Sequence, residues 1–205
     1  MTVRLGVLLS GSGTTLENFL TRIGDGRLDA EVAVVIASRP DAYGLVRAEN
    51  AGIPTRIVAR KAHADGDSFS TAITAALDEY KPDLVTFAGF LSLWKIPSHY
   101  EGRVMNIHPA LIPAFCGKGF YGSRVHRPVV ESGVKLSGCT VHFADNIYDN
   151  GPIILQRTVP VRFEDTPDDV AKRVFAEECE AYPEAIRLFA EGKLSIEGDR
   201  VRIAE

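Results

Sequence analysis

At 205 residues, 45% hydrophobic and 24% charged, the chain is long enough to bury a sizeable core in one domain, and none of its apolar runs approaches bilayer-spanning length. A formal net charge of −4 leaves no basic excess to neutralise a phosphodiester backbone, so nucleic acid is a poor partner. Cys116, Cys139 and Cys179 are three widely spaced cysteines without a CxxC pair, which disfavours a disulfide framework or a zinc cluster and points to a reducing, cytoplasmic setting.

Val3 to Leu9 is an apolar run interrupted by Arg4 and Gly6, as expected of a strand covered on both faces. It meets a glycine loop and offers no small-residue cleavage site, so a first strand fits it better than a signal peptide. Ser10-Gly11-Ser12-Gly13-Thr14-Thr15 follows, and Leu16, Phe19, Leu20 and Ile23 then repeat at helical spacing. A strand, a glycine turn and a helix start aim backbone N–H groups at one point, where the helix dipole favours an anion. Leu16 occupies the third place of GxGxxG, and no Walker lysine is present. The next strand, Glu31 to Ala37, ends in Ser38-Arg39-Pro40 without the acid that would hold an NAD ribose, so a single phosphate suits the loop better than a dinucleotide. A turn that uses glycine only for tight packing explains the same residues.

Leu45, Val46 and Ala48 mark a second helix that ends at Asn50-Ala51-Gly52, and Thr55 to Val58 a short strand. Asp67 or Ser68 is the expected cap of a third helix, which runs to Tyr80 and is stopped by Lys81-Pro82 ahead of a fourth strand, Asp83 to Ala88. That strand opens into Gly89-Phe90-Leu91-Ser92-Leu93-Trp94. Such an apolar cluster at the carboxyl end of a parallel strand is where open sheets bind ligands, and a flat ring system would pack on Leu91 and Trp94; plain core packing is the competing reading.

Val104 to His108 is the fifth strand, whose alternation sets Asn106 and His108 on one face and Met105 and Ile107 on the other. A flexible Gly117–Gly122 loop precedes a helix from Ser123 to Glu131. Leu136 to Ala144 and Pro152 to Val161 are β-rich and joined by a turn carrying Asp149, which predicts an antiparallel pair. Asp165-Thr166-Pro167 opens a long amphipathic helix through Pro183 to Phe189, and residues 194–203 form a small hairpin. With no repeat or low-complexity linker, the pattern predicts a single α/β domain. Its sheet is mostly parallel and twisted, with a Rossmann-like N-terminal half, an antiparallel strand near the C-terminal end and helices on both faces.

Asn106, His108 and Asp149 have complementary abilities if they converge. A carboxamide N–H and an imidazolium N–H both donate to an oxyanion growing on a carbonyl, and a carboxylate alongside favours the imidazolium. That set suits acyl transfer through a tetrahedral intermediate. There is no GxSxG, and neither Cys116 nor Cys139 lies in an activating context, so direct attack by a substrate amine is the simplest scheme. His63, His99, His126 and His142 read as structural. A backbone-bridging Asn106 and an ordinary Asp149-Asn150-Gly151 turn are the bland alternatives.

Ser-Gly-Ser-Gly-Thr-Thr-Leu after the first strand, Ala-Gly-Phe at 88–90, Asn-Ile-His-Pro-Ala-Leu-Ile-Pro at 106–113, Gly-Cys-Thr-Val-His-Phe at 138–143 and Asp-Asn-Gly-Pro-Ile-Ile-Leu-Gln at 149–156 together resemble the phosphoribosylglycinamide formyltransferases of purine synthesis, over nearly the whole chain. The resemblance implies one formyltransferase domain, with residues 1–100 binding the phosphate and nucleotide and residues 101–205 holding the catalytic and folate-binding parts. It implies formyl transfer from the co-substrate 10-formyltetrahydrofolate to glycinamide ribonucleotide, without a metal. Asn106 would hold the formyl oxygen, His108 would stabilise the oxyanion, and Asp149 would orient His108 and assist proton removal. Gly13, Thr14, Thr15, Gly89 and Glu178 would contact the ribonucleotide, and Leu91, Ser92, Leu93, Trp94, Asn146 and Ile147 the folate. Neither membrane nor nucleic acid is implied as a partner, and a homodimer is compatible with the resemblance. A 10-formyltetrahydrofolate hydrolase is the nearest alternative, and an NAD(P)-dependent oxidoreductase a more distant one. The chain departs from the family pattern at Thr15, at Leu91 to Trp94, in the longer Gly117–Gly122 loop, and at Cys179.

Overall fold

A computed structural model describes residues 2–204 as a mixed α/β fold with mostly parallel strand pairing and antiparallel pairing towards the C-terminus. The chain divides into two compact units, one ending at Met105 and the other starting at Asn106.

In the first unit the chain runs β1 (Val3–Leu9), α1 (Thr14–Gly24), β2 (Ala30–Ala37), α2 (Tyr43–Asn50), β3 (Thr55–Ile57), α3 (Gly66–Tyr80) and β4 (Leu84–Phe87). The strands lie in the order β3-β2-β1-β4, each pair parallel. Every residue of β1 except Arg4 is buried, which is why its sequence does not alternate. Because β2 and β3 extend to one side of β1 and β4 to the other, the strand order reverses beside β1, and open α/β sheets bind ligands at the carboxyl ends of the strands flanking such a reversal. The cap of α3 is Asp65, whose carboxylate accepts from the Ser68 N–H at 2.8 Å, and not Asp67 or Ser68 as the sequence suggests. Asp65 has the extended backbone of a cap, and three residues on is where its side chain reaches an unbonded helical N–H.

The second unit takes over within β5 (Val104–His108) and continues through α4 (Ser123–Glu131), β6 (Leu136–Phe143), β7 (Ile153–Pro160), α5 (Pro167–Ala190), β8 (Leu194–Glu197) and β9 (Arg200–Ile203). β6 and β7 pair antiparallel, with a register shift between Val141 and His142. The tail hairpin β8–β9 joins β7 through parallel pairing of β9, a long-range pairing that its local sequence does not announce. α5 begins in a capping box between Thr166 and Asp169 with Pro167 in its first turn, and it continues unbroken past Pro183. It packs on β6, β7 and α4, and its inward face buries Val170, Val174, Ala181 and Ile186. Among the described residues no helix is long and apolar enough to cross a membrane.

Candidate active site

In the first unit the glycine loop links the end of β1 to the start of α1. Gly13 sits in the left-handed region at φ 72° as the cap of α1, and no side chain caps that helix start. A Cβ on Gly13 would lie 2.6 Å from the Cα of Gly44, so glycine is required by the close approach of α2 as well as by the dihedral. The loop is backed by Arg47, which donates from Nε to the Ser12 carbonyl at 2.9 Å and pairs with Glu17. Thr14 is exposed and Thr15 half-buried.

Gly89, exposed at φ 74°, lies beside this loop. The Ser10 N–H donates to the Gly89 carbonyl at 3.1 Å, and the Leu91 N–H donates to Ser10 Oγ at 2.9 Å. Leu91 and Leu93 stay 44% and 36% exposed, whereas Trp94 is 1% exposed, donates from its indole nitrogen to Thr74 Oγ1 at 3.1 Å, and packs against Phe87 and Tyr100. Plain core packing therefore describes Trp94: it presents no ring face to a ligand in this structure, while Leu91 and Leu93 do present apolar surface.

The second unit brings Asn106, His108 and Asp149 together. The Asn106 carboxamide donates from Nδ2 to Asp149 Oδ1 at 3.2 Å, and His108 Nδ1 stands 3.4 Å from Asp149 Oδ2. His108 is 3% exposed and Asn106 half-buried. Two backbone groups complete the cluster. The Phe115 carbonyl lies 2.9 Å from His108 Nε2, and the Gly117 N–H donates to Asp149 Oδ2 at 2.8 Å. Asp149 itself is held at φ 53°, a left-handed conformation that Asp tolerates better than most residues. Its turn is shaped by Asp145, which accepts from the Ile147 N–H and the Asn150 side chain, and by Gly151, where a Cβ would lie 1.9 Å from the Phe143 carbonyl.

His142, which reads from the sequence as structural, touches this cluster: its Nε2 is 3.0 Å from Asn106 Nδ2, and its Nδ1 is 3.0 Å from the Phe143 carbonyl. Burial holds its pKa below the ordinary histidine value. His126 is buried in α4, and burial followed by the nearby His108 lowers its pKa too. The Cys116 thiol, which donates to the Pro113 carbonyl at 3.2 Å, is pushed up by burial and by the charge of Asp149, so the thiolate a nucleophile needs is disfavoured. Nothing in the sequence flags Phe115 and Gly117, because they act through backbone atoms. No local sequence signal places His142 beside Asn106, because the register shift between Val141 and His142 breaks the two-residue period of β6 at that point.

Asn146 is exposed and Ile147 63% exposed on the loop ahead of Asp149. Glu178 lies on α5, and although the residue keeps some surface its carboxyl is withdrawn from water, which pushes its pKa up to about 7. With the folded value above the ordinary glutamate value of about 4.5, the carboxyl costs nothing below about pH 4.5 and destabilises the fold increasingly as pH rises towards 7. Glu178→Gln is therefore expected to raise thermal stability at pH 8.5 by roughly 2–3 kcal/mol and to leave it nearly unchanged at pH 4.5. Equal melting-temperature shifts at the two pH values would contradict that sign.

A family model described as formyl transferase matches residues 3–186. The phosphoribosylglycinamide formyltransferase of Escherichia coli (strain K12) is 36% identical over 192 residues, which cover 93% of this chain and 88% of that one. The trifunctional purine biosynthetic protein adenosine-3 of Gallus gallus is 37% identical over 196 residues, 95% of this chain, and the match spans only 19% of that protein's length. The crystal structure of glycinamide ribonucleotide transformylase 1 from Symbiobacterium toebii superposes with a TM-score of 0.92 at 47% identity, covering 100% of this chain and 95% of that one.

Proposed function

The chain belongs to the formyl transferase family, and from that premise we propose that it transfers the formyl group of 10-formyltetrahydrofolate to the amino group of glycinamide ribonucleotide. The observation that carries this reading is the junction of Asn106, His108 and Asp149 within one hydrogen-bonded cluster, in a chain whose relatives are named for that transfer. Incubation of the purified protein with both substrates should release tetrahydrofolate only when the ribonucleotide is present. Release at the same rate without it would indicate hydrolysis and overturn the acceptor; no release would overturn the reading altogether.

The donor supplies a carbonyl carbon at the amide level of oxidation. When the acceptor amine adds to it, the N–C bond forms and the carbonyl electron pair moves to oxygen; collapse then breaks the bond to the folate nitrogen, which takes up the proton the amine gives up. The chain's part is to meet the charge on oxygen and to manage that proton. His108 would donate from Nε2 to the oxyanion, exchanging its present partner, the Phe115 carbonyl, for the substrate oxygen. The Asn106 N–H now directed at Asp149 Oδ1 would supply a second donor. Asp149 would hold the His108 ring through Nδ1 and take the amine proton through water.

For the ribonucleotide, the uncapped α1 start at Gly13, Thr14 and Thr15 would receive the phosphate, with Gly89 alongside and Glu178 towards the ribose hydroxyls. For the folate, the exposed apolar side chains of Leu91, Leu93 and Ile147 fit a flat ring better than they fit water, and Ser92 and Asn146 add polar contacts. Trp94 would serve by supporting the 89–94 segment from within the core.

A further inference from the structure

We infer that His142 is a positioning residue: by accepting one Asn106 N–H at Nε2 it fixes the carboxamide so that its second N–H, and not its oxygen, points to the Asp149 side where the oxyanion would form. The inference rests on formyl transfer being the reaction and adds to it a residue that reacts with nothing itself.

For a neutral ring the geometry admits one assignment of protons. The Phe143 carbonyl, 3.0 Å from His142 Nδ1, is only an acceptor, so Nδ1 carries a hydrogen. A neutral ring has no second proton, which leaves Nε2 a bare acceptor facing Asn106 Nδ2 at 3.0 Å. His142 is 1% exposed, and burial disfavours its charged form even though Asp149 and Asp145 lie near it; His108 nearby acts in the same direction as burial. The carboxamide is thus held between two acceptors, His142 Nε2 and Asp149 Oδ1. Were it turned over, its Oδ1 would face an imidazole lone pair on one side and a carboxylate oxygen on the other, both repulsive, and would present an acceptor to a developing negative charge. Asp149 alone could not keep the orientation during the reaction, because the N–H it now accepts is the one the oxyanion would take. His142 still holds the other.

Two substitutions separate this role from mere packing. His142→Asn keeps a donor near the Nδ1 position and loses the acceptor at Nε2, whereas His142→Gln can place an oxygen near the Nε2 position. His142→Asn is expected to lower kcat about tenfold or more with KM for both substrates within about twofold, and His142→Gln to recover most of the loss. On an Asn106→Ala background, where there is no carboxamide left to orient, His142→Asn should cost less than about twofold. Unchanged kcat in His142→Asn, or a loss just as large on the Asn106→Ala background, would overturn the inference. Nitrogen-15 NMR of the wild-type protein supplies a readout that needs neither variant to fold nor any activity. It should show a protonated Nδ1 and an unprotonated Nε2 at His142, and the reverse tautomer would overturn the inference. Absence of formyl transfer in the wild type would defeat the proposed reaction, while the tautomer result would still stand or fall separately.

Discussion

His108→Ala is expected to lower kcat for formyl transfer by about 10²–10³-fold, the cost of removing one preorganised donor to an oxyanion in a water-poor site. His108 is 3% exposed, and its two ring nitrogens meet the Phe115 carbonyl and Asp149, so the ring is already oriented before any substrate arrives. Because its interaction with the substrate would strengthen only as charge develops on oxygen, the loss should fall on kcat and leave KM for either substrate within a few-fold. The substitution also leaves the Phe115 carbonyl without its side-chain partner, and stability should drop by about 1–3 kcal/mol, a change that a parallel melting curve separates from the kinetic effect. Initial rates of tetrahydrofolate release under saturating conditions are the measurement. A loss below tenfold in a folded variant would remove His108 from the chemistry.

Asp149→Asn should cost more, about 10²–10⁴-fold in kcat, because this one carboxylate serves three neighbours at once. Oδ1 accepts from Asn106, Oδ2 accepts from the Gly117 N–H, and Oδ2 also faces His108 Nδ1. A carboxamide at this position has one acceptor oxygen and one donor nitrogen. Either rotamer therefore sets its NH2 against the Asn106 NH2 or against the Gly117 N–H and His108. Asn is as comfortable as Asp at φ 53°, so the turn itself should survive and the folded fraction should be near that of the wild type. Asp149→Ala, which loses all three acceptor contacts and strains the left-handed backbone, should be visibly less stable than Asp149→Asn. If Asp149→Asn turned over within tenfold of the wild type, the role assigned to the carboxylate in proton removal would be wrong.

Much of the fold is legible from local pattern. The non-alternating Val3–Leu9 announces a strand buried on both faces, the Thr166-Pro167 start announces a long helix, and the β-rich runs on either side of Asp149 announce an antiparallel pair. The cap of α3 lies outside the expected pair because Asp65, Asp67 and Ser68 are all good caps, and only the backbone geometry at Asp65 selects among them. The joining of the tail hairpin to β7 is not legible, since a parallel pairing reaches across some forty residues of intervening chain and leaves no local mark.

For the chemistry, the sequence by itself determined which groups are present: an amide and an imidazole on one face of β5, a carboxylate in a later turn, and a glycine loop at a helix start. These follow from side-chain identity and from the two-residue period of a strand, both of which are local properties. Only the tertiary structure decided how those groups are engaged. It directed the Asn106 N–H groups to His142 and Asp149, set the Phe115 carbonyl against His108, added the Gly117 N–H to Asp149, and buried the Trp94 ring. The reason is physical: backbone donors and acceptors belong to every residue alike, and burial depends on what packs above a side chain. Neither is written in the identity of the residue until the chain is folded.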